Sequence, residues 1–249
     1  MECEYPEPIS HRQRIIPTGL PELSFYLGSR ARCLDDGHNF NAYTIFSGHQ
    51  KDHYDISVSG HLKMISVTFQ PNGLSAINKL NPGDLLNQSI DACLFFGSDI
   101  KLLSEQLYEA PTTMRQLELI ESFLISNLTI KIKSYKSERI NHLIHQLNPI
   151  GQTISSMAEQ TYWSRKQFER TFSALVGCTP KTFLNTIRFQ YALHQKAQNP
   201  NLSLIDLSLS CGYYDQAHMN HEFINFSGLS PRQFFKSCLP QSDYYGISY

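Results

Sequence analysis

Two short stretches of this chain carry side chains suited to gripping a polyanion. Arg165, Lys166, Glu169 and Arg170 crowd into SRKQFERTF, and Gln216, His218, Asn220 and His221 into DQAHMNHEF. Guanidinium and ammonium groups pair with phosphate, while Arg, Gln, Asn and His offer donors and acceptors that match base edges. Each set follows a short polar residue, Ser164 or Asp215, of the kind that caps a helix start. At helical spacing these side chains project from a first turn, and Ser164 itself stands where a hydroxyl can reach a phosphate.

The elements that must hold these turns come twice. TISSMAEQTYWSRKQFERTFSALVGCTPKTFL and SLIDLSLSCGYYDQAHMNHEFINFSGLSPRQFF share one order of events. A short amphipathic helix (Ile154, Met157, Ala158; then Leu204, Leu207, Ser208) leads into a tight turn and a second helix, in which Phe168 and Phe172 match Met219 and Phe223. Gly177 or Gly228 ends that helix, and Thr179-Pro180 or Ser230-Pro231 starts the next, the usual stop and start signals. Small residues at Ala158 and Ser208 allow the two helices to cross closely, which is the geometry of a helix-turn-helix. Between the copies, Pro180 to Ala197 reads as one amphipathic helix of about 27 Å, near the ~34 Å between successive major-groove faces of a duplex. Met157, Phe168, Phe172, Leu184, Leu207, Met219 and Phe223 are assigned to the core by their period.

Upstream the pattern changes. LSFYLGS, FNAYTIFSG, MISVTFQPNG and ACLFFGS are short aromatic or β-branched runs between turn residues, which predicts antiparallel strands in a barrel or curled sheet. Two amphipathic helices follow, with Ile100, Leu103, Leu107 and Ala110 on one face of the first and Met114, Leu117, Ile120, Leu124 and Leu128 on one face of the second. They would close the β-domain or form a dimer seam. The expected fold class is α+β. A β-rich, barrel-like sensor or oligomerisation domain with two closing helices takes residues 1–130. An all-α domain with two helix-turn-helix units takes 137–238, the boundary falls in the polar stretch from Thr129 to Ser137, and SDYYGISY forms a loose tail.

With 249 residues, 41% hydrophobic and 17% charged, the chain is globular and long enough for two cores. Its net charge of −1 divides unevenly: 12 Lys and Arg against 15 Asp and Glu over residues 1–136, 9 against 6 over 137–240, and Asp243 besides. The part that carries both candidate sets is therefore about +3, the sign that phosphate attracts. The proline-broken, acidic MECEYPEPIS does not resemble a signal peptide and no run spans a bilayer, so a cytoplasmic location and no membrane association are expected. Six scattered cysteines, Cys3, Cys33, Cys93, Cys178, Cys211 and Cys238, include no C-x-x-C and read as free thiols rather than a zinc or disulfide framework. His49, His53 and His61 with Asp52 and Asp55 match no familiar ligand spacing, and a loop before an edge strand explains them equally well. No metal or cofactor is expected. G-x-S-x-G, P-loop, dinucleotide and H-E-x-x-H patterns are all missing, so no enzyme class is indicated.

The C-terminal hundred residues resemble the AraC/XylS family of bacterial transcription regulators. The likeness is carried by MAEQ, SRKQFERTF, GCTPKTFL, IRFQYAL, LSLSCGYYDQAHMNHEF and SGLSPRQFF, and the front half resembles the β-rich domain of one branch of that family. The resemblance implies that Lys166, Glu169 and Arg170 take base- and phosphate-facing places in the first recognition helix, and Gln216, Asn220 and His221 in the second. Departures are His221 where the family usually has arginine, Tyr162 where the first turn often has glycine, and Leu207-Ser208 for the usual Ile-Ala. The expected activity is sequence-specific regulation of transcription. Expected partners are double-stranded DNA, a small-molecule effector in the N-terminal part, RNA polymerase where the protein activates, and a second copy of the chain. Two competing readings make the front a catalytic or ligand-binding module that the DNA domain merely localises, or leave the regulator without any ligand.

Overall fold

A side chain in a strand alternates between two faces, and the strand Glu22–Tyr26 shows where each face goes. Leu23 and Phe25 are fully buried on one side among helices, whereas Ser24 and Tyr26 face a second sheet. This is a computed structural model that describes residues 2–5, 11–34, 42–77, 81–127 and 134–237. Its strands are β1 (Glu2–Tyr5), β2 (His11–Ile15), β3 (Glu22–Tyr26), β4 (Arg32–Cys33), β5 (Thr44–Ser47), β6 (Tyr54–Val58), β7 (Gly60–Thr68) and β8 (Ser89–Asp91). They form an antiparallel five-stranded sheet in the order β1-β7-β3-β5-β8 and a three-stranded sheet in the order β2-β6-β4. The barrel-like expectation thus becomes two sheets that share one core, with Tyr26, Ile45 and Leu62 from the larger meeting Tyr54, Ile56 and Val58 from the smaller.

Helices cover the outer face of the larger sheet: α1 (Cys93–Phe96), α2 (Asp99–Glu109) and α3 (Thr113–Asn127). Ile100, Leu103 and Leu107 are buried there as their period requires. Two expectations are corrected. ACLFFGS, expected as a strand, forms α1, because Asp91 accepts a hydrogen bond from the Cys93 amide at 2.8 Å and starts a helical turn right after β8. In α3, Met114 and Leu117 are exposed, and the stripe that packs includes Gln116, Leu119, Ile120, Phe123 and Leu124. Gln116 is drawn inside because its Nε2 donates to the Leu107 carbonyl at 2.8 Å, near the C-terminal end of α2, where carbonyls lack helical partners. Leu128, the Thr129–Ser137 boundary as far as Lys133, Cys238 and the SDYYGISY tail lie outside the described residues.

The rest is helical: α4 (Tyr135–His145), α5 (Ile154–Gln160), α6 (Arg165–Val176), α7 (Pro180–Gln198), α8 (Leu204–Ser210), α9 (Gln216–Ser227) and α10 (Pro231–Ser237). Two separate cores build it, and α7 belongs to both. Its first half gives Phe183, Leu184 and Ile187 to a cluster with Met157, Phe168 and Phe172. Its second half gives Phe189, Ala192 and Leu193 to a cluster with Leu207, Met219 and Phe223.

Candidate nucleic-acid interface

Each helix-turn-helix is assembled from local chemistry. In the first unit, Thr153 caps α5 by accepting from the Ser156 amide at 3.1 Å, and Ser156 Oγ accepts from the Thr153 amide at 3.0 Å, a reciprocal capping box. Ser164 Oγ accepts from the Gln167 amide to start α6, and Gly177, at φ 92°, ends it. In the second unit Asp215 accepts from the His218 amide at 2.7 Å to start α9, and Gly228, at φ 69°, ends it. Ala158 and Ser208 are buried at the crossings, so the small side chains stand where the helices approach.

The turns differ where the two copies differ. Tyr162 adopts φ 57° in the first turn, whereas Gly212 serves at φ 76° in the second. A tyrosine in the left-handed region is strained, and here the ring projects into solvent, within 5.7 Å of the Arg139 guanidinium. Both turns rest on an arginine from the preceding long element, a regularity that lies outside the repeated motif. Arg139 of α4 donates to the Thr161 carbonyl at 2.9 Å and lies over Trp163; Arg188 of α7 lies over Tyr213.

The two first turns present their side chains to different degrees. Arg165, Lys166 and Arg170 are exposed, and Glu169 is half-buried and paired with Arg165 at 3.0 Å. The pair cancels one charge locally and leaves Lys166 and Arg170 to carry the positive face of α6. On α9, Gln216 and Asn220 are half-buried and His221 is exposed, its Nδ1 3.2 Å from Asn225 Nδ2.

His218 turns inward. Its Nδ1 accepts from the Tyr214 amide at 3.3 Å, its Nε2 stands 3.4 Å from Glu222, and its ring packs edge-on against Tyr213. Burial, and then the nearby Arg188 charge, lower its pKa, so the neutral ring is favoured. The group around it is buried and mixed: Glu222 is 3% exposed, 3.5 Å from Arg188, and burial pushes its carboxyl up to about 7. Burial raises the Tyr213 hydroxyl as well.

The N-terminal half touches the far ends of α6 and α9, and sequence reasoning missed the residues that do so. A Cβ on Gly177 would stand 2.6 Å from the Pro82 carbonyl oxygen, so the turn Pro82–Leu85 lies directly on the end of α6. His49, fully buried, donates from Nε2 to the Pro71 carbonyl at 2.8 Å and packs edge-on to Phe183 of α7; burial pushes it down to about 4 and keeps it neutral. His53 reaches the Gly228 end of α9. The edge-strand explanation of this stretch is corrected too, because β6 is the central strand of its sheet and Asp55 is buried between Arg12 and Arg14. Those arginines, Arg14 first, hold its carboxyl well below the usual carboxylate range. Among the described residues no three His, Cys, Asp or Glu side chains come together as metal ligands. Cys178 and Cys211 are buried free thiols pushed up by burial to about 12 and about 11. No helix among the described residues is long and apolar enough to cross a membrane.

Two capped helices, α6 and α9, each preceded by a short crossing helix and linked through one shared helix, define a tandem helix-turn-helix module. Residues 157–237 match the family described as a helix-turn-helix domain, and residues 2–91 match one described as a domain of unknown function (DUF6597). A helix-turn-helix-type transcriptional regulator of Haemophilus influenzae is 36% identical over 84 residues, 34% of this chain and 28% of that protein. The regulator MtrA of Neisseria gonorrhoeae is 30% identical over 108 residues, 42% of this chain and 36% of that protein. The matched stretches thus span about a third of each relative. ToxT from Vibrio cholerae shares the fold across both halves, with a TM-score of 0.50 at 12% identity, covering 92% of this chain and 97% of that one. The helix-turn-helix stretch of this chain, residues 157–237, is thus similar to the corresponding part of transcriptional regulators.

Proposed function

We propose that this chain binds specific duplex sites and regulates transcription from them, with α6 and α9 each entering a major-groove segment. The observation that carries it is the repeated exposed first turn, capped by Ser164 in one unit and Asp215 in the other. Lys166 and Arg170 supply phosphate contacts and base-edge donors. Arg165 joins them when DNA competes for its pairing with Glu169. Gln216, Asn220 and His221 read edges in the second segment, where His221 offers one ring donor or acceptor rather than the two-pronged fork of an arginine. His218 orders the turn from inside instead of touching bases. The N-terminal domain serves as sensor: its two sheets enclose a cavity of about 280 Å³ lined by Ser24, Tyr26, Ser47, Tyr54 and Glu22 among apolar side chains, room for a small polar effector. Exposed Met114, Leu117 and Ile125 on α3 give a second copy an apolar face to cover. RNA polymerase is the further partner where the bound protein activates.

Titration of the full chain against its own upstream DNA at two salt concentrations tests the reading. Affinity falls with salt, and Arg170→Ala weakens binding while flattening the salt slope by about one unit, as expected for one phosphate contact. Unchanged binding by Arg170→Ala removes α6 from the interface. A melting shift with a metabolite panel tests the sensor role, since a ligand of the folded state stabilises it by mass action.

A further inference from the structure

The cavity and the second helix-turn-helix unit share one stretch of chain. Residues 13–16 and Thr18 form a wall of the cavity. Neighbouring side chains there belong to different cores. Ile15 packs with Tyr26, Tyr54 and Ile56 inside the β-domain, while Ile16 packs against the Phe189, Phe223 and Phe226 cluster of the second unit.

Polar contacts tie the same stretch to the C-terminal domain. Arg14 Nη1 donates to the Ser227 carbonyl at 2.8 Å, in the last turn of α9, while its Nε and Nη2 donate to Asp55 at 2.8 and 2.9 Å on β6. One guanidinium therefore bridges the central strand of the small sheet and the end of the recognition helix, where unpaired carbonyls and the helix dipole favour a cation. Three residues on, the Pro17 carbonyl accepts from Gln190 of α7 at 2.7 Å. Gly228 permits the close approach: a Cβ there would lie 2.7 Å from His53 Nε2 and 2.9 Å from Arg14 Nη1. The first unit is fastened to the same domain at other points, by Leu20 and Leu86 in its core and by Pro82 against Gly177.

We propose that residues 13–18 form a coupling strap that fixes the second recognition helix relative to the first, with Arg14 as its positioning residue and the cavity wall as its other face. The proposal rests on the DNA-binding function above. A change in the cavity moves Ile15, the adjacent Arg14 and Ile16 move with it, and the end of α9 follows. Arg14 touches no base in this scheme; it acts by holding α9.

The test uses the full chain and two readouts. Hydrogen exchange compares the last turn of α9 with the last turn of α6 in the wild type, Arg14→Ala, Arg14→Lys and Ile15→Ala. Arg14→Ala leaves Asp55 paired with Arg12 at 2.6 Å, so the buried carboxylate is not orphaned, and a melting curve confirms that each variant is folded. The expected result is exchange at the α9 end faster by about tenfold, equivalent to ~1.4 kcal/mol, with α6 unchanged. Ile15→Ala touches only the β-domain side, so faster exchange at α9 in that variant is transmission through the strap. Arg14→Lys cannot span Asp55 and Ser227 together and behaves like Arg14→Ala; a wild-type pattern in Arg14→Lys overturns the bridging role.

The second readout is binding to a duplex that the wild type enriches from a random-sequence pool, with and without one base pair inserted between the two protected segments. The insertion rotates one segment by roughly 34° about the duplex axis. Wild type loses about tenfold on insertion and Arg14→Ala about threefold or less, because its second unit is freer to follow. Equal losses, or unchanged exchange in both alanine variants, overturn the strap. A wild type that enriches no duplex overturns instead the DNA-binding function, while the exchange data still report whether the β-domain grips α9.

Discussion

Replacing Gly177 with alanine puts the contact between the Pro82–Leu85 turn and α6 to a quantitative test. Two costs add at this position. The backbone sits at φ 92°, where an L side chain pays about 1 kcal/mol for the left-handed region. The new methyl would also lie 2.6 Å from the Pro82 carbonyl oxygen and 2.7 Å from its carbon, backbone atoms that cannot swing aside as a side-chain tip can. Forcing apart packed groups costs about 1–3 kcal/mol, so the total is roughly 2–4 kcal/mol. Gly151 is the internal control: it has φ 68° and nothing within 4 Å of the added Cβ, so Gly151→Ala pays only the first cost, about 1 kcal/mol. The loss of unfolded-chain entropy is common to both substitutions and cancels in the comparison. Urea denaturation of the two variants should differ by about 2 kcal/mol, and melting by roughly 4–8 °C for a chain this long. If Gly177→Ala is no worse than Gly151→Ala, the Pro82–Leu85 turn does not press on α6, and the domain contact drawn from it is wrong.

Two further outcomes follow from the turn and the buried cluster of the C-terminal domain. Tyr162→Gly should be more stable than Tyr162→Ala by about 1 kcal/mol, the reverse of their order inside a helix, because only glycine is relaxed at φ 57°; equal stabilities in urea would argue that the turn opens to a different backbone. Glu222 holds its proton more tightly when folded, about 7 against an ordinary 4.5. Its contribution is therefore fully present below pH 4.5 and is lost as pH rises through 7, and the slope of stability against pH over that window should shrink in Glu222→Gln. An identical slope in that variant would assign the titration to another group.

The C-terminal domain was legible in the sequence because each of its signals is local. A hydroxyl or carboxylate cap, a glycine stop and a following proline act within four or five residues, and they stand twice in the same order around Ser164 and Asp215. Tyr162 could be singled out for the same reason, since one residue at one turn decides the backbone there. The β-domain was less legible. The stretch with His49, His53 and Asp55 reads as a loop before an edge strand, yet YDISV is the central strand of the small sheet, because Asp55 is neutralised by arginines 43 and 41 residues away, Arg12 and Arg14. Nothing within a short window announces that pairing. The α3 stripe failed for a related reason: a helix with apolar residues on several faces can turn either way, and Gln116 settled the choice through a carbonyl on a different helix. His218 enters the reading set by its position in the motif, while its contact with Glu222, which pairs with Arg188 of α7, depends on an element the motif does not describe. The residues that join the two domains, Arg14, His49, His53 and Pro82, carried no signal that a single sequence displays.

The sharing of α7 between two cores makes its length a fixed quantity. One inserted residue would advance the second unit by about 1.5 Å and turn it by roughly 100° about the helix axis, dragging Phe189 and Leu193 away from their pocket or Phe183 away from the other. A different separation of the two exposed first turns therefore cannot be reached by small insertions in this helix. The spacing of the two tips is a constant of the fold, and only the side chains they carry are free to vary.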